Sequence, residues 1–184
     1  MANTAQMNPG LHHVGYRFPN TSFSDEMLEE VKQMVNLRFK TAVVVNRVVY
    51  VGNVKKTDLK GQVTVEGDSM YKSGVGKFDQ FSNFRRIEVT VRDGDEIVKL
   101  EEYADRILQF KKDKMHLVNI SQDIEFLEDT FMHKGTRHPA SVCKTDYGVA
   151  WANRYGVYLY DGQKVINLFE KGGKQIIKES DWKD

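Results

Sequence analysis

Five histidines, a single cysteine and scattered carboxylates are the groups in this chain that could do chemistry. Their spacing assembles none of the usual catalytic or metal-binding patterns. His12 and His13 are adjacent but lack a third ligand at metal spacing. His116 alternates with apolar Met115 and Leu117, which predicts a solvent-facing position on a strand. His133 and His138 flank a Lys-Gly-Thr-Arg turn, and no HxxxH or HExxH occurs. Cys143, between Val142 and Lys144, reads as a small buried strand residue. A lone cysteine forms no internal disulfide, which fits a chain folded in a reducing cytosol. The run Gly74-Val75-Gly76-Lys77 lacks the spacing of a phosphate loop and reads as a glycine turn between strands. The pairs Glu101-Glu102 and Asp93 with Asp95 lie on strand or turn. Consecutive strand side chains point to opposite faces, so Glu101 and Glu102 cannot flank one scissile bond. No GxSxG is present. The expectation is a protein that is not an enzyme, with no catalytic, cofactor-binding or metal-ligating residue.

Binding is the remaining chemistry. Trp151, Tyr155, Tyr158, Tyr160 and Phe78 could line the rim of a carbohydrate- or peptide-binding module, or instead fill the space between stacked sheets. Charge is balanced, 27 basic against 26 acidic residues for a net +1, so no nucleic-acid specificity is expected. With 40% hydrophobic and 11% aromatic residues, the 184-residue chain can build a real core. The sequence has no apolar run of about 18 residues and no basic-then-apolar leader, so a soluble protein without a membrane span, made in the cytosol, is expected.

The elements that must position these side chains follow from an internal repeat. Ile97 to Asn119 returns 42 residues later as Pro139 to Asp161. Leu100 falls on Val142, Ile107 on Val149, Leu108 on Ala150, Met115 on Val157 and Leu117 on Leu159, so apolar and turn positions coincide without a gap. A looser copy lies in Thr41 to Val54, where Asn46-Arg47 takes the place of Asp105-Arg106. A period in the low forties built of four short strands is the pattern of a β-propeller blade, because one small sheet cannot bury its own faces.

The predicted fold is all-β: a β-propeller-like array of three to four antiparallel four-stranded blades over 40–184, preceded by an N-terminal arm over 1–39. Blades are placed at about 40–92, 96–132 and 139–169, followed by a partial blade. Ser24 with Asp25, Glu26 and apolar Leu28, Val31 and Val35 predicts a helix over 25–37, with a strand leading into the first blade as the alternative. In the first blade, strands are predicted at Thr41 to Val45, at Arg47 to Val51 ending on Gly52-Asn53, at Met70 to Ser73 and at Arg86 to Val91. A polar stretch over 55–68, read as an extended loop or a small β-excursion, and a loop over 74–84 separate them. In the second blade they fall at Ile97 to Tyr103, Arg106 to Phe110, Met115 to Asn119 and Ile124 to Phe131, with turns at Ala104-Asp105 and, solvated, at the lysines of 111–114. In the third they fall at Ala140 to Lys144, Gly148 to Ala152, Gly156 to Tyr160 and Lys164 to Leu168. Val43, Val44 and Val45 in a row read as a strand buried on both faces. Apolar Val165, Leu168, Ile176, Ile177 and Trp182 are the candidate partner contacts, since the terminal face of such an array needs a cover.

Several segments together, VVVNRVVYVGNV, MYKSGVGKFDQF, DGDEIVKLEEYADRILQFKKDKMHLVNIS, FLEDTF and VCKTDYGVAWANRYGVYLYDG, resemble the β-propeller virion proteins of tailed bacteriophages, components of the tail hub, nozzle or stabilisation assembly. The similarity covers about residues 40 to 184, and YADRILQFKKDKMHLVNIS is its most specific piece. Such proteins are usually longer, so the resemblance implies a short variant or part of a longer chain. It implies a non-catalytic structural component of the virion, in the tail or head-to-tail connector. Its partners would be other virion proteins or copies of itself, within a ring or larger assembly. No active-site residue carries over, because the group is defined by structural positions.

Overall fold

A computed structural model describes residues 36–57, 61–90, 94–122 and 124–182. Within them the chain forms three antiparallel four-stranded sheets in simple sequential order, plus one two-stranded ribbon. The first sheet comprises β1 (Asn36–Val45), β2 (Val48–Thr57), β3 (Val63–Gly74) and β4 (Lys77–Ile87). The second comprises β5 (Ile97–Tyr103), β6 (Arg106–Lys111), β7 (Lys114–Asn119) and β8 (Phe126–Met132). The third comprises β9 (Val142–Thr145), β10 (Gly148–Asn153), β11 (Gly156–Tyr160) and β12 (Val165–Asn167). The ribbon pairs β13 (Glu170–Lys171) with β14 (Lys174–Gln175), and a one-turn helix α1 (Glu179–Trp182) follows. Among the described residues no helix is long and apolar enough to cross a membrane.

The repeat keeps its register across the first three strands of the second and third sheets. Tyr103 pairs with Arg106 as Thr145 pairs with Gly148, and Phe110 pairs with Met115 as Ala152 pairs with Val157. In the first sheet the equivalent two-residue turn is Asn46-Arg47, between paired Val45 and Val48. Its counterpart in the second sheet is therefore Ala104-Asp105, one residue earlier than the Asp105-Arg106 expected from sequence. Asn46 and Arg47 both have left-handed φ, 50° and 63°. Two such residues make the turn whose twist matches that of the flanking strands.

The sheets stack face to face, with β1 against β5 and β5 against β9. Between the first and second sheets lie Val45, Tyr50, Met70, Ile97, Leu100, Ile107, Val118 and Ile120. Between the second and third lie Leu108, Phe110, Met115, Leu117, Val142, Val149, Trp151, Tyr158 and Tyr160. The second sheet is thus covered on both faces, which its strands achieve by strict alternation: Ile107 and Val118 look one way, Leu108 and Leu117 the other. Each large side chain so buried contributes about 1.5–3 kcal/mol.

Several sequence expectations need correction. Residues 36–39, placed in the N-terminal arm, open β1, and with them Asn36 and Leu37 from the end of the predicted helix; residues 1–35 lie outside the described residues. β2 continues through Gly52 and Asn53 to Thr57: Asn53, with φ 56°, stands opposite a bulge formed by residues 67–69 of β3 rather than ending the strand. The polar excursion is the far half of this hairpin, where Lys55 to Thr57 pair with Val63 to Val65. The predicted loop over 74–84 is a tight turn at Val75-Gly76 followed by β4; of the strand predicted at Arg86 to Val91, Arg86 and Ile87 belong to β4, residues 88–90 to no strand, and Val91 lies outside the described residues. Polar Gln80 and Ser82 disguised β4, yet both are buried. Val44 is 57% exposed while Val45 is buried, so the valine run alternates, as an edge strand with one covered face must. Beyond Phe169 the chain forms two-residue strands and a helical turn rather than the opening strands of a fourth sheet.

Candidate functional site

Stacking on both faces changes the reading of the polar residues. His116 is 1% exposed, not solvent-facing, since β7 is an inner strand of the middle sheet; its Nδ1 lies 2.9 Å from Thr130 Oγ1. Lys111, expected at a solvated tip, is fully buried, and its Nζ donates to Thr90 Oγ1 at 3.0 Å. Cys143 is exposed rather than buried, because it sits on edge strand β9 and points to the outer face of the third sheet. Trp151, Tyr158 and Tyr160 fill the space between the second and third sheets, so they form no aromatic rim; Phe78 is exposed on β4 of the first sheet. Among the described residues no cluster of His, Cys, Asp and Glu is arranged to hold a metal ion.

One cleft does form, of about 410 Å³, where the turn after β6, the loop after β8 and the turn after β10 converge. Four hydrogen bonds set the loop in place. Trp151 Nε1 donates to Lys134 O at 2.8 Å, and Asn153 Nδ2 donates to Gly135 O at 2.7 Å and to His133 O at 3.0 Å. Thr136 N donates to Lys111 O at 2.9 Å. Gly135 permits this approach: a Cβ there would lie 2.3 Å from Lys111 O and 2.5 Å from Lys114 N, closer than any side chain tolerates. Thr136, itself buried, shares a 2.7 Å hydrogen bond between its Oγ1 and Ser141 Oγ.

The side chains facing the cleft are Lys112, Asp113, Arg137, His138, Arg154 and Tyr155. Arg137 Nη2 and Arg154 Nη2 each stand 3.9 Å from Asp113 Oδ1, beyond hydrogen-bond range. The Arg154 guanidinium lies over the Tyr155 ring, 4.6 Å from its centre, and Nη2 meets the Tyr155 hydroxyl. Lys112 Nζ is held at 2.9 Å by Glu96 Oε1. Glu96 also accepts from Lys40 Nζ at 2.9 Å and Asn53 Nδ2 at 2.8 Å. Hydrogen bonds from Lys40, Asn53 and Lys112, in that order of weight, pull its carboxyl down to about 2. Deeper in the same interface, burial lowers the Lys134 ammonium, which sits 3.8 Å over the Tyr158 ring.

The candidate contact residues fall into two groups. Val165 pairs with Tyr160 and packs inward against the cluster between the second and third sheets. Leu168, Ile176, Ile177 and Trp182 are exposed by 46, 62, 41 and 40%. Trp182 also folds back on its own chain: its ring meets the buried Phe169 ring at 5.0 Å, and its Nε1 donates to Asn153 O at 2.7 Å. A further apolar set joins them. The outer face of the third sheet carries Ala150, Ala152, Val157, Leu159 and Ile166, all partly exposed, beside exposed Cys143. The 42-residue repeat foreshadowed this face, but nothing in the sequence placed the three segments of the cleft together. In comparisons with known proteins the chain matches no family and no curated protein.

Proposed function

We propose that this chain is a non-catalytic structural component of a tailed-bacteriophage virion, in the tail or head-to-tail connector, acting through protein-protein contacts. The observation that carries the proposal is the chemistry of the third sheet's outer face. Leu108, Phe110, Met115 and Leu117 of the second sheet are buried against the third. Their equivalents 42 positions on, Ala150, Ala152, Val157 and Leu159, remain apolar although they are partly exposed. A solvated antiparallel face is normally polar, so an apolar one is a surface kept for a partner. The occupant is a further antiparallel β-blade presenting β-branched and aromatic residues, as the third sheet does to the second. Leu168 and the exposed Ile176, Ile177 and Trp182 extend the contact at its edge. The sequence resemblance to phage propeller proteins supplies the setting: the blade belongs to another virion protein.

The test joins composition and assembly. Mass spectrometry of purified virions from the encoding phage should detect the chain, and Leu159→Asp should prevent its incorporation while leaving the isolated chain folded by circular dichroism. Absence from virions, or full incorporation of Leu159→Asp, would refute the proposal. Self-assembly of the isolated chain, lost in Leu159→Asp, would replace the partner blade by a second copy.

A further inference from the structure

The two junctions between neighbouring sheets are built on the same plan but carry opposite charge. At the first, Asp95 and Glu96 lie on the segment leading into β5 and meet Lys112 and Asp113 in the turn after β6. The Asp95 carboxylate closes that junction: Oδ1 accepts from Lys112 N at 3.2 Å and Oδ2 from Asp113 N at 3.3 Å. Glu96 accepts from the Lys112 ammonium beside it. Moving 42 positions along the repeat, Asp95 becomes Arg137, Glu96 becomes His138, Lys112 becomes Arg154 and Asp113 becomes Tyr155. All four of these line the 410 Å³ cleft. Where the first junction holds two carboxylates of its own, the second presents two guanidiniums and an imidazole.

Among the described residues neither guanidinium has a carboxylate within hydrogen-bond range. Asp113 is the acid that faces them, at 3.9 Å from each guanidinium, and among the described residues Arg137 makes no hydrogen bond. A guanidinium carries five N–H donors in a planar fork suited to an oxyanion. Both arginines sit on well-fixed backbone: Arg137 follows Thr136, pinned to Lys111 O, and Arg154 follows Asn153, pinned to the interblade loop. The Tyr155 ring gives the floor an apolar surface beside the charge, with His133 edge-on to it at 5.4 Å.

We infer that this cleft is a binding site for the carboxylate side chains of an acidic peptide segment, supplied by another polypeptide. The carboxylate is chosen over other oxyanions because the fold itself fills the equivalent junction with an aspartate and a glutamate. The segment would enter between the turn after β6 and the turn after β10 and pair Asp or Glu with Arg137 and Arg154, displacing their loose contact with Asp113. The cleft shares only Ala152 with the apolar outer face of the third sheet, and its test reads Arg137 and Arg154, so it holds or fails independently of the virion assignment.

The experiment is a titration of the folded chain followed by amide and arginine Nε resonances in two-dimensional NMR. The probe is the blocked tetrapeptide acetyl-Asp-Glu-Asp-Glu-amide, with acetyl-Asn-Gln-Asn-Gln-amide and inorganic phosphate as separate arms. The acidic peptide should give saturable shifts confined to Asp113, residues 136–138 and residues 153–155, with a dissociation constant on the order of 1 mM that weakens with added salt. Arg137→Gln and Arg154→Gln should each weaken it about tenfold, the loss expected for one charge-assisted contact. Both residues are more than half exposed, so the variants should melt as the parent does. Absence of saturable shifts, equal binding of the neutral peptide, or unchanged affinity in both variants would overturn the inference. Phosphate binding more tightly than the acidic peptide would overturn the carboxylate assignment.

Discussion

Gln109 offers the sharpest test of how the sheets stack. It lies mid-strand on β6, fully buried, in a cross-strand row that runs Leu100, Gln109, His116, Thr130. Among the described residues neither its Oε1 nor its Nε2 has a hydrogen-bond partner. A buried amide deprived of partners costs about 1–3 kcal/mol relative to its hydrated state in the unfolded chain. Methionine is nearly isosteric and carries no group that needs a hydrogen bond, so Gln109→Met removes the penalty without opening a cavity. Stability should rise by about 1–2 kcal/mol, less than the full penalty because the new side chain repacks imperfectly. For a chain of this size, that corresponds to about 2–8 °C in melting temperature. Gln109→Glu is the opposing control: a carboxylate in the same place must either be buried charged or take up a proton, and the variant should be destabilised by several kcal/mol. Urea unfolding followed by circular dichroism, with calorimetry for the melting temperature, reads both. A Gln109→Met variant less stable than the parent by more than about 1 kcal/mol would show the amide to be satisfied in solution, and with it that the contact between the first and second sheets is wetter than the structure shows.

Trp151→Ala should cost about 3–5 kcal/mol, since the ring is 1% exposed between the second and third sheets and also anchors the loop through Lys134 O; a change below about 1 kcal/mol in urea unfolding would contradict the packing. Glu96 gives a pH signature. Its folded carboxyl is depressed to about 2 from an ordinary 4.5, so its contribution is complete above 4.5 and is lost as pH falls through about 2. The stability difference between the parent and Glu96→Gln should therefore be constant near neutrality and shrink below 4.5, and raised salt should diminish it because the side chain is 36% exposed. Removing the residues after Gly172 takes the Trp182 ring from Phe169 and should lower stability by about 1–2 kcal/mol; an unchanged melting temperature would mean that the segment does not pack on its own chain in solution.

Strand positions in the second and third sheets were legible because each has a short-range cause. Period-two alternation, two-residue turns such as Ala104-Asp105, and the 42-residue repeat are local, and the register follows from them. Alternation also told which residues share a face: His116 does lie opposite Met115 and Leu117. It could not tell whether that second face meets water or another sheet. That choice depends on what stacks there, which turned His116, Gln109 and Lys111 into interior residues and left Cys143 outside. β4 was hidden for the same reason, since Gln80 and Ser82 are polar by sequence and become buried only when the sheet forms. The cleft is the extreme case. Its residues come from three segments, with Lys112 and Tyr155 far apart in the chain, and each segment alone reads as an ordinary polar turn. Composition and spacing determined an all-β repeat; only the tertiary stacking, by bringing equivalent turns of adjacent sheets side by side, decided that acids would meet at one junction and arginines at the next.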